Sequence, residues 1–275
     1  QAGHEALEAL LKDQGDQVTP ALLLEVARAR ALVGDHPGAS QLLDRADRLA
    51  GVSHWRLDRE RGRVALRRGD LPTAVTLLGR ALDGSADDPE TLLLAADAAS
   101  NEGQGAFLTR VRDLAADRLK GRAEAQIIVG KLELFAGHLP AASAAYQAAG
   151  AQLDREKASP RRQALAHFGL AVVAYQEEND PSAQAEVELV IDQDPTIFAA
   201  YLFAADIQGK KQPRRALELL RKAVGYNPDD VTSWLALGKQ AQALGEQAQL
   251  TEAITRLTTI DPKGAALKEL QALKR

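Results

Sequence analysis

Residues 69–82 read GDLPTAVTLLGRAL. Nearly the same line opens at Gly34, GDHPGASQLLDRAD, and again at Gly137, GHLPAASAAYQAAG. Each copy places proline three residues after glycine, then alanine two further on, a large apolar residue four beyond that, and a second alanine after three more. Glycine suits the left-handed residue that closes a helix. Proline fits the first turn of the next one, where its missing N–H costs nothing. Alanine, large residue and alanine at spacings of four and three share one helix face. The line therefore reads as helix, glycine turn, proline, helix.

The remaining prolines extend the pattern. Pro37, Pro72, Pro140, Pro181 and Pro213 stand shortly before Ala39, Ala74, Ala142, Ala183 and Ala216. Pro20, Pro89, Pro195, Pro228 and Pro262 each follow Thr, Asp or Asn, residues that cap free helix amides, and only Pro160 fits neither set. Both sets predict helix starts. Gly34, Gly69, Gly103 and Gly137 are 35, 34 and 34 residues apart, and Pro195, Pro228 and Pro262 are 33 and 34 apart. Two helices per unit of about 34 residues is the tetratricopeptide length.

Composition agrees. Aromatic residues make up only 4% of the 275, so Ala and Leu, both helix formers, must build the interior. The net charge of -4 argues against a general nucleic-acid binder. The chain has no cysteine, which excludes disulfides, Cys-zinc sites and thiol catalysis, and no apolar run of membrane-spanning length. Gln1 reads as a cut or processed end, which leaves cytoplasm and periplasm both open.

The chain resembles the tetratricopeptide repeat family. The best single match is Trp234-x-x-Leu237-Gly238, followed by Gly245 and Pro262. The second-helix signature appears as Ala39-Leu43-Ala46, Ala74-Leu78-Ala81, Ala142-Tyr146-Ala149 and Ala216-Leu220-Ala223. The resemblance implies an all-α, right-handed superhelical α-solenoid of stacked helix-turn-helix units. Seven repeats are expected, at 20–53, 55–88, 89–122, 123–156, 164–197, 198–230 and 231–264. Leu108 and Leu250 replace the first alanine in the third and last. Residues 1–19 would hold the second helix of a truncated repeat, 20–156 four repeats, 157–163 an insertion, 164–264 three repeats, and 265–275 a capping helix.

Nothing in the sequence gathers a catalytic site. No P-loop, Gly-x-Gly-x-x-Gly or nucleophile elbow occurs. His36 and His138 would lie three repeats apart, His54 and His167 lack partners at metal-ligand spacing, and all five histidines, His4 included, read as solvated or turn residues. Asp87-Asp88, Asp192-Asp194 and Asp229-Asp230 sit beside prolines and read as helix caps. No enzyme activity, cofactor or metal is expected.

By resemblance, first helices line a concave surface. Arg56, Arg59, Arg63 and Arg67, with Arg28 of the repeat before, form a candidate basic patch for an acidic peptide or carboxylate. The alternative is a solvated face with Arg63 paired to Glu60 or Asp97. Ile127, Lys131, Phe135, Phe168, Val172, Tyr175, Leu202 and Phe203 form a candidate groove for an amphipathic helix or extended segment, the alternative being interhelical core. Where some family members clamp a partner's C-terminal carboxylate with Lys and Asn, this chain has Leu24, Arg59 and Leu93.

The resemblance implies a protein–protein interaction scaffold or adaptor that binds a protein or peptide segment, without nucleic acid or membrane insertion. The Ala- and Arg-rich composition points to a bacterium, where such proteins serve secretion, pilus or motility, polarity and envelope assembly. Two alternatives stand beside it: a substrate-recruiting region of a larger enzyme, and a self-associating array that would make a homo-oligomer.

Overall fold

Ala74, Leu78 and Ala81 are fully buried, as are Ala39, Leu43 and Ala46, and Ala142 and Ala149 beside a nearly sealed Tyr146. The repeated line is thus the inward face of a second helix. The structure is a computed structural model describing residues 2–14, 17–49, 54–100, 105–209 and 211–273. Gly103 lies outside the described residues. All regular structure among them is helical.

The helices divide into two compact units, Gln1–Ala158 and Ser159–Arg275. The first contains α1 (Ala2–Gln14), α2 (Pro20–Leu32), α3 (His36–Asp47), α4 (His54–Arg67), α5 (Leu71–Gly84), α6 (Pro89–Ala99), α7 (Gly105–Arg118), α8 (Ala123–Phe135) and α9 (Leu139–Arg155). The second contains α10 (Pro160–Gln176), α11 (Asp180–Gln193), α12 (Phe198–Gln208), α13 (Pro213–Tyr226), α14 (Val231–Leu244), α15 (Gln247–Ile260) and α16 (Ala265–Leu273). The closest packing is within consecutive pairs such as α4 with α5 or α10 with α11. Each unit is therefore an α-solenoid of stacked hairpins, in which neighbouring pairs bury the face that one pair cannot bury alone.

The glycine turns form as expected. Gly34, Gly69 and Gly137 have φ of +85°, +73° and +79°, a region that an L side chain enters only with strain. The prolines split. Pro20, Pro89, Pro160 and Pro213 are the first residues of their helices, and Pro37, Pro72, Pro140 and Pro181 the second. Pro195, Pro228 and Pro262 are not helix starts: the next helices begin three residues later, at Phe198, Val231 and Ala265. These three are stop signals. A residue before proline is pushed out of the helical region. Accordingly Asp194, Asn227 and Asp261 have ψ of 89°, 85° and 72° and close α11, α13 and α15.

The carboxylate pairs divide in the same way. Asp88 caps α6 by accepting from the Thr91 N–H at 2.8 Å, and Asp230 caps α14 through the Ser233 N–H at 2.6 Å. Asp194 instead accepts from the Thr196 N–H at 3.0 Å inside the turn. In α7 the position that the motif reserves for a large residue is Arg112, which lies 3.7 Å from Glu133, while Val111 takes the buried place. No helix among the described residues is long and apolar enough to cross a membrane.

First helices are not evenly spaced: α14 and α16 of the second unit approach each other as closely as those of the first, but α10, α12 and α14 do not. In the first unit α2, α4, α6 and α8 approach one another in order. Ala95, Ala96, Ala98 and Ala99 of α6 are sealed with no exposed surface, and side chains this small let neighbouring backbones close up. In the second unit no comparably close approach joins α10 to α12 or α12 to α14 among the described residues. Those helices carry Phe168, Tyr175, Leu202 and Phe203, all packed at the edge of the core.

Candidate partner-binding sites

The centre of the arginine stripe of α4, Arg59 and Arg63, is paired with carboxylates. Arg63 donates from Nε to Glu60 at 2.8 Å and from Nη2 to Glu90 at 2.8 Å. Arg59 donates from Nε to Glu60 at 2.8 Å and from Nη1 to Asp88 at 3.1 Å. Arg28 of α2 reaches Glu90 at 2.7 Å. Three guanidiniums thus meet three carboxylates across α2, α4 and α6. The expected open basic patch gives way to the expected alternative, with Arg63 on Glu60. Asp97, the other candidate partner, instead pairs with Lys131.

Glu60 is only 2% exposed. Burial by itself would raise its pKa, but Arg63 and Arg59 outweigh that and hold the carboxyl below its ordinary value. The same carboxylates raise the pKa of Arg63 against its burial. Arg56 and Arg67 stand apart from the cluster. The Arg56 guanidinium lies 5.2 Å from the Trp55 ring centroid, and Arg67 donates to the Leu32 carbonyl at 2.9 Å.

The aliphatic and aromatic candidates separate into three fates. Ile127 is 1% exposed and belongs to the interior of the first unit, so it lines no surface. Its place on α8 beside the equally buried Ile128 explains this, since adjacent residues at the centre of a packed helix both meet neighbours. Phe135, at the end of α8, is 46% exposed. The remaining five lie together in the second unit.

There the Phe203 ring of α12 packs edge-on against both Phe168, at 6.2 Å between centroids, and Tyr175, at 4.9 Å. Val172 lies between Phe168 and Tyr175 on α10 and is half-buried. The Tyr175 hydroxyl donates to Asp206 one turn beyond Phe203. That hydrogen bond first, with burial and the carboxylate charge adding to it, pushes the Tyr175 pKa up to about 12. Beside this cluster a groove of about 730 Å³ opens between α12 and α14. It is lined by Phe168 of α10, Leu202 and Phe203 of α12, Leu220 of α13 and Ala236 of α14. Asp206, Lys239 and Gln240 supply its polar edge. Gln240 donates to the Pro213 carbonyl at 2.8 Å, and Lys239 lies 2.6 Å from Glu269 of α16.

The α14 wall was absent from the sequence-derived set. Its signal was the spacing of Thr232, Ala236 and Lys239, four and three apart on one face, masked by the more visible Trp234 and Leu237 on the opposite face. The histidines also differ from expectation in part. His36 is buried in α3, and His167 of α10 contacts Glu186 of α11 at 2.7 Å. His138 is exposed and contacts Glu133 at 2.8 Å. No group of three or more potential ligands among the described residues is placed to hold a metal ion.

No family model matches the chain, and no curated protein matches it. Solved structures do. PilW, described as a widely conserved type IV pilus biogenesis factor, superposes with a TM-score of 0.53 and 15% identity over 80% of this chain and 100% of its own. A tetratricopeptide repeat protein from Parabacteroides merdae gives 0.52 and 18%, over 92% of this chain and 98% of its own. A monomeric mutant of IFIT1 with m7Gppp-AAAA gives 0.62 and 13%, over 98% of this chain and 76% of its own. At such identities the likeness concerns architecture: the chain has the tetratricopeptide-type fold, an all-α solenoid of stacked helix pairs.

Proposed function

We propose that the chain is a protein–protein interaction scaffold that seats a segment of a partner protein in the groove between α12 and α14. One observation carries the reading. The groove is walled by half-buried Phe168, Leu202 and Phe203, a concave apolar surface with few polar groups at its edge, which suits a peptide or helix presenting apolar side chains. The rings hold one another edge-on, so the wall is formed before a partner arrives and little ordering cost remains. Asp206 adds a negative charge at the edge and Lys239, itself paired with Glu269, a second polar anchor.

A bacterial assembly role, in secretion, pilus or motility, polarity or envelope construction, is part of the same proposal. PilW, named as a pilus biogenesis factor, offers an analogy of architecture for it. Capture from the source cell tests the reading. The full chain should retain a partner that the Tyr175→Ser/Phe203→Ser variant loses while its helical circular dichroism is unchanged. Retention of the partner by the variant would remove the groove as the interface.

A further inference from the structure

We propose that Arg28, Arg59 and Arg63 form a latent carboxylate-binding site on the first unit, that Glu90 fills it as an internal stand-in, and that an acidic side chain of a protein partner displaces Glu90. The cluster has two layers. Glu60 is the inner anion, sealed from solvent, and it takes the Nε donors of both Arg59 and Arg63. Those two bonds fix the guanidinium planes whatever happens outside. Glu90 is the outer anion, with a side chain 28% exposed. One of its oxygens takes Nη2 of Arg28 and Nη2 of Arg63, and the other lies 3.5 Å from Nη1 of Arg59.

Glu90 can leave where Glu60 cannot. It is the second residue of α6, and a carboxylate there is favoured by the free amides of the helix start even without an ion pair. Asp88 is fixed differently, because it caps α6 through Thr91 while it pairs with Arg59. Once Glu90 swings outward, three guanidiniums face two carboxylates, and the site carries one uncompensated positive charge. Arg28 also has spare capacity: its Nε finds no acceptor, so it engages Glu90 through one arm of its fork. The pocket is already arranged around a carboxylate, which selects that chemistry. The site lies wholly in the first unit and is independent of the groove in 159–275.

The test titrates the full chain with an N-acetylated tri-glutamate amide by calorimetry at low ionic strength, where screening is weak. Glu90→Gln keeps the side-chain shape and removes the competing charge. It should bind the peptide about tenfold more tightly than the wild-type chain, the scale of one well-placed charge pair. Adding Arg28→Gln should cancel that gain, and tri-glutamine should bind neither protein. Glu90→Asp, which keeps the charge but withdraws it by one methylene, should give a smaller gain and serves if the glutamine variant loses helicity. The proposal fails if neither Glu90 variant binds tri-glutamate better than wild type, or if the gain survives Arg28→Gln.

Discussion

The Tyr146 ring of α9 lies against the backbone of Gly130 in α8. A methyl group added to Gly130 would stand 2.9 Å from three ring atoms, closer than carbon atoms pack. The large residue of the second-helix motif is therefore accommodated by a missing side chain on the helix it faces. Replacing Gly130 by alanine gains helix propensity of about 1 kcal/mol but forces overpacking worth about 1–3 kcal/mol. The net outcome expected is a lower melting temperature for Gly130→Ala. Gly130→Ala with Tyr146→Leu should recover part of the loss, because the flat ring is what leaves no room. Equal melting of wild type and single variant would show that the helix pair relaxes freely.

Much of the architecture was legible because it rests on local rules. A buried Ala-large-Ala face, a glycine with positive φ and a proline in the first turn each follow from a few neighbouring residues. The stop prolines misread as starts show the limit. Both roles place a small polar residue before proline, and only the position of the next apolar face, three residues further on, separates them. Arg112 is a second example: it falls where the motif has a large apolar residue, but Val111 fills the interior and the charged residue turns outward. The site was less legible, because its parts come from different layers. Glu90 meets Arg28 across 62 positions, and no sequence period announces that contact.

Overpacking gives a sharper check on the register. Ala74 has no exposed surface, and Ala142 has none either. Phenylalanine at either place must push adjacent helices apart, at a cost of a few kcal/mol, roughly 1–3 or more. Ala74→Phe and Ala142→Phe should each melt well below wild type in thermal circular dichroism. A variant at exposed Thr76, in the same helix as Ala74, should melt with wild type.

Acid should weaken the first unit through Glu60. Its folded pKa is depressed, so its ion pairs stabilise fully above the unfolded value of about 4.3. That stability is lost as pH falls from there through the lower folded value. Glu60→Gln removes this dependence and leaves Arg59 and Arg63 partly uncompensated in a buried setting. It is expected to cost about 3–5 kcal/mol near neutral pH and to flatten the loss of stability on acidification. Chemical denaturation across the acid range measures both effects. A variant as acid-sensitive as wild type would assign the sensitivity to other carboxylates.

Tyr175 marks the alkaline side and reports on the groove wall directly. Its hydroxyl donates to Asp206, and ionisation would leave a phenolate facing a carboxylate, so the neutral form is favoured and the pKa rises to about 12. The raised value means that this contact stabilises the fold below the unfolded tyrosine pKa of about 10 and is lost as pH climbs through the folded one. Asp206→Asn removes the charge and should bring the Tyr175 titration down, and Tyr175→Phe should delete that step from the phenolate absorbance curve. Because Tyr175 braces Phe203 edge-on, Tyr175→Phe also tests whether the wall stands without the hydroxyl. Ring packing alone predicts unchanged helicity and retained partner capture for Tyr175→Phe, whereas loss of capture would place the hydroxyl–carboxylate bond among the groups that hold the groove open.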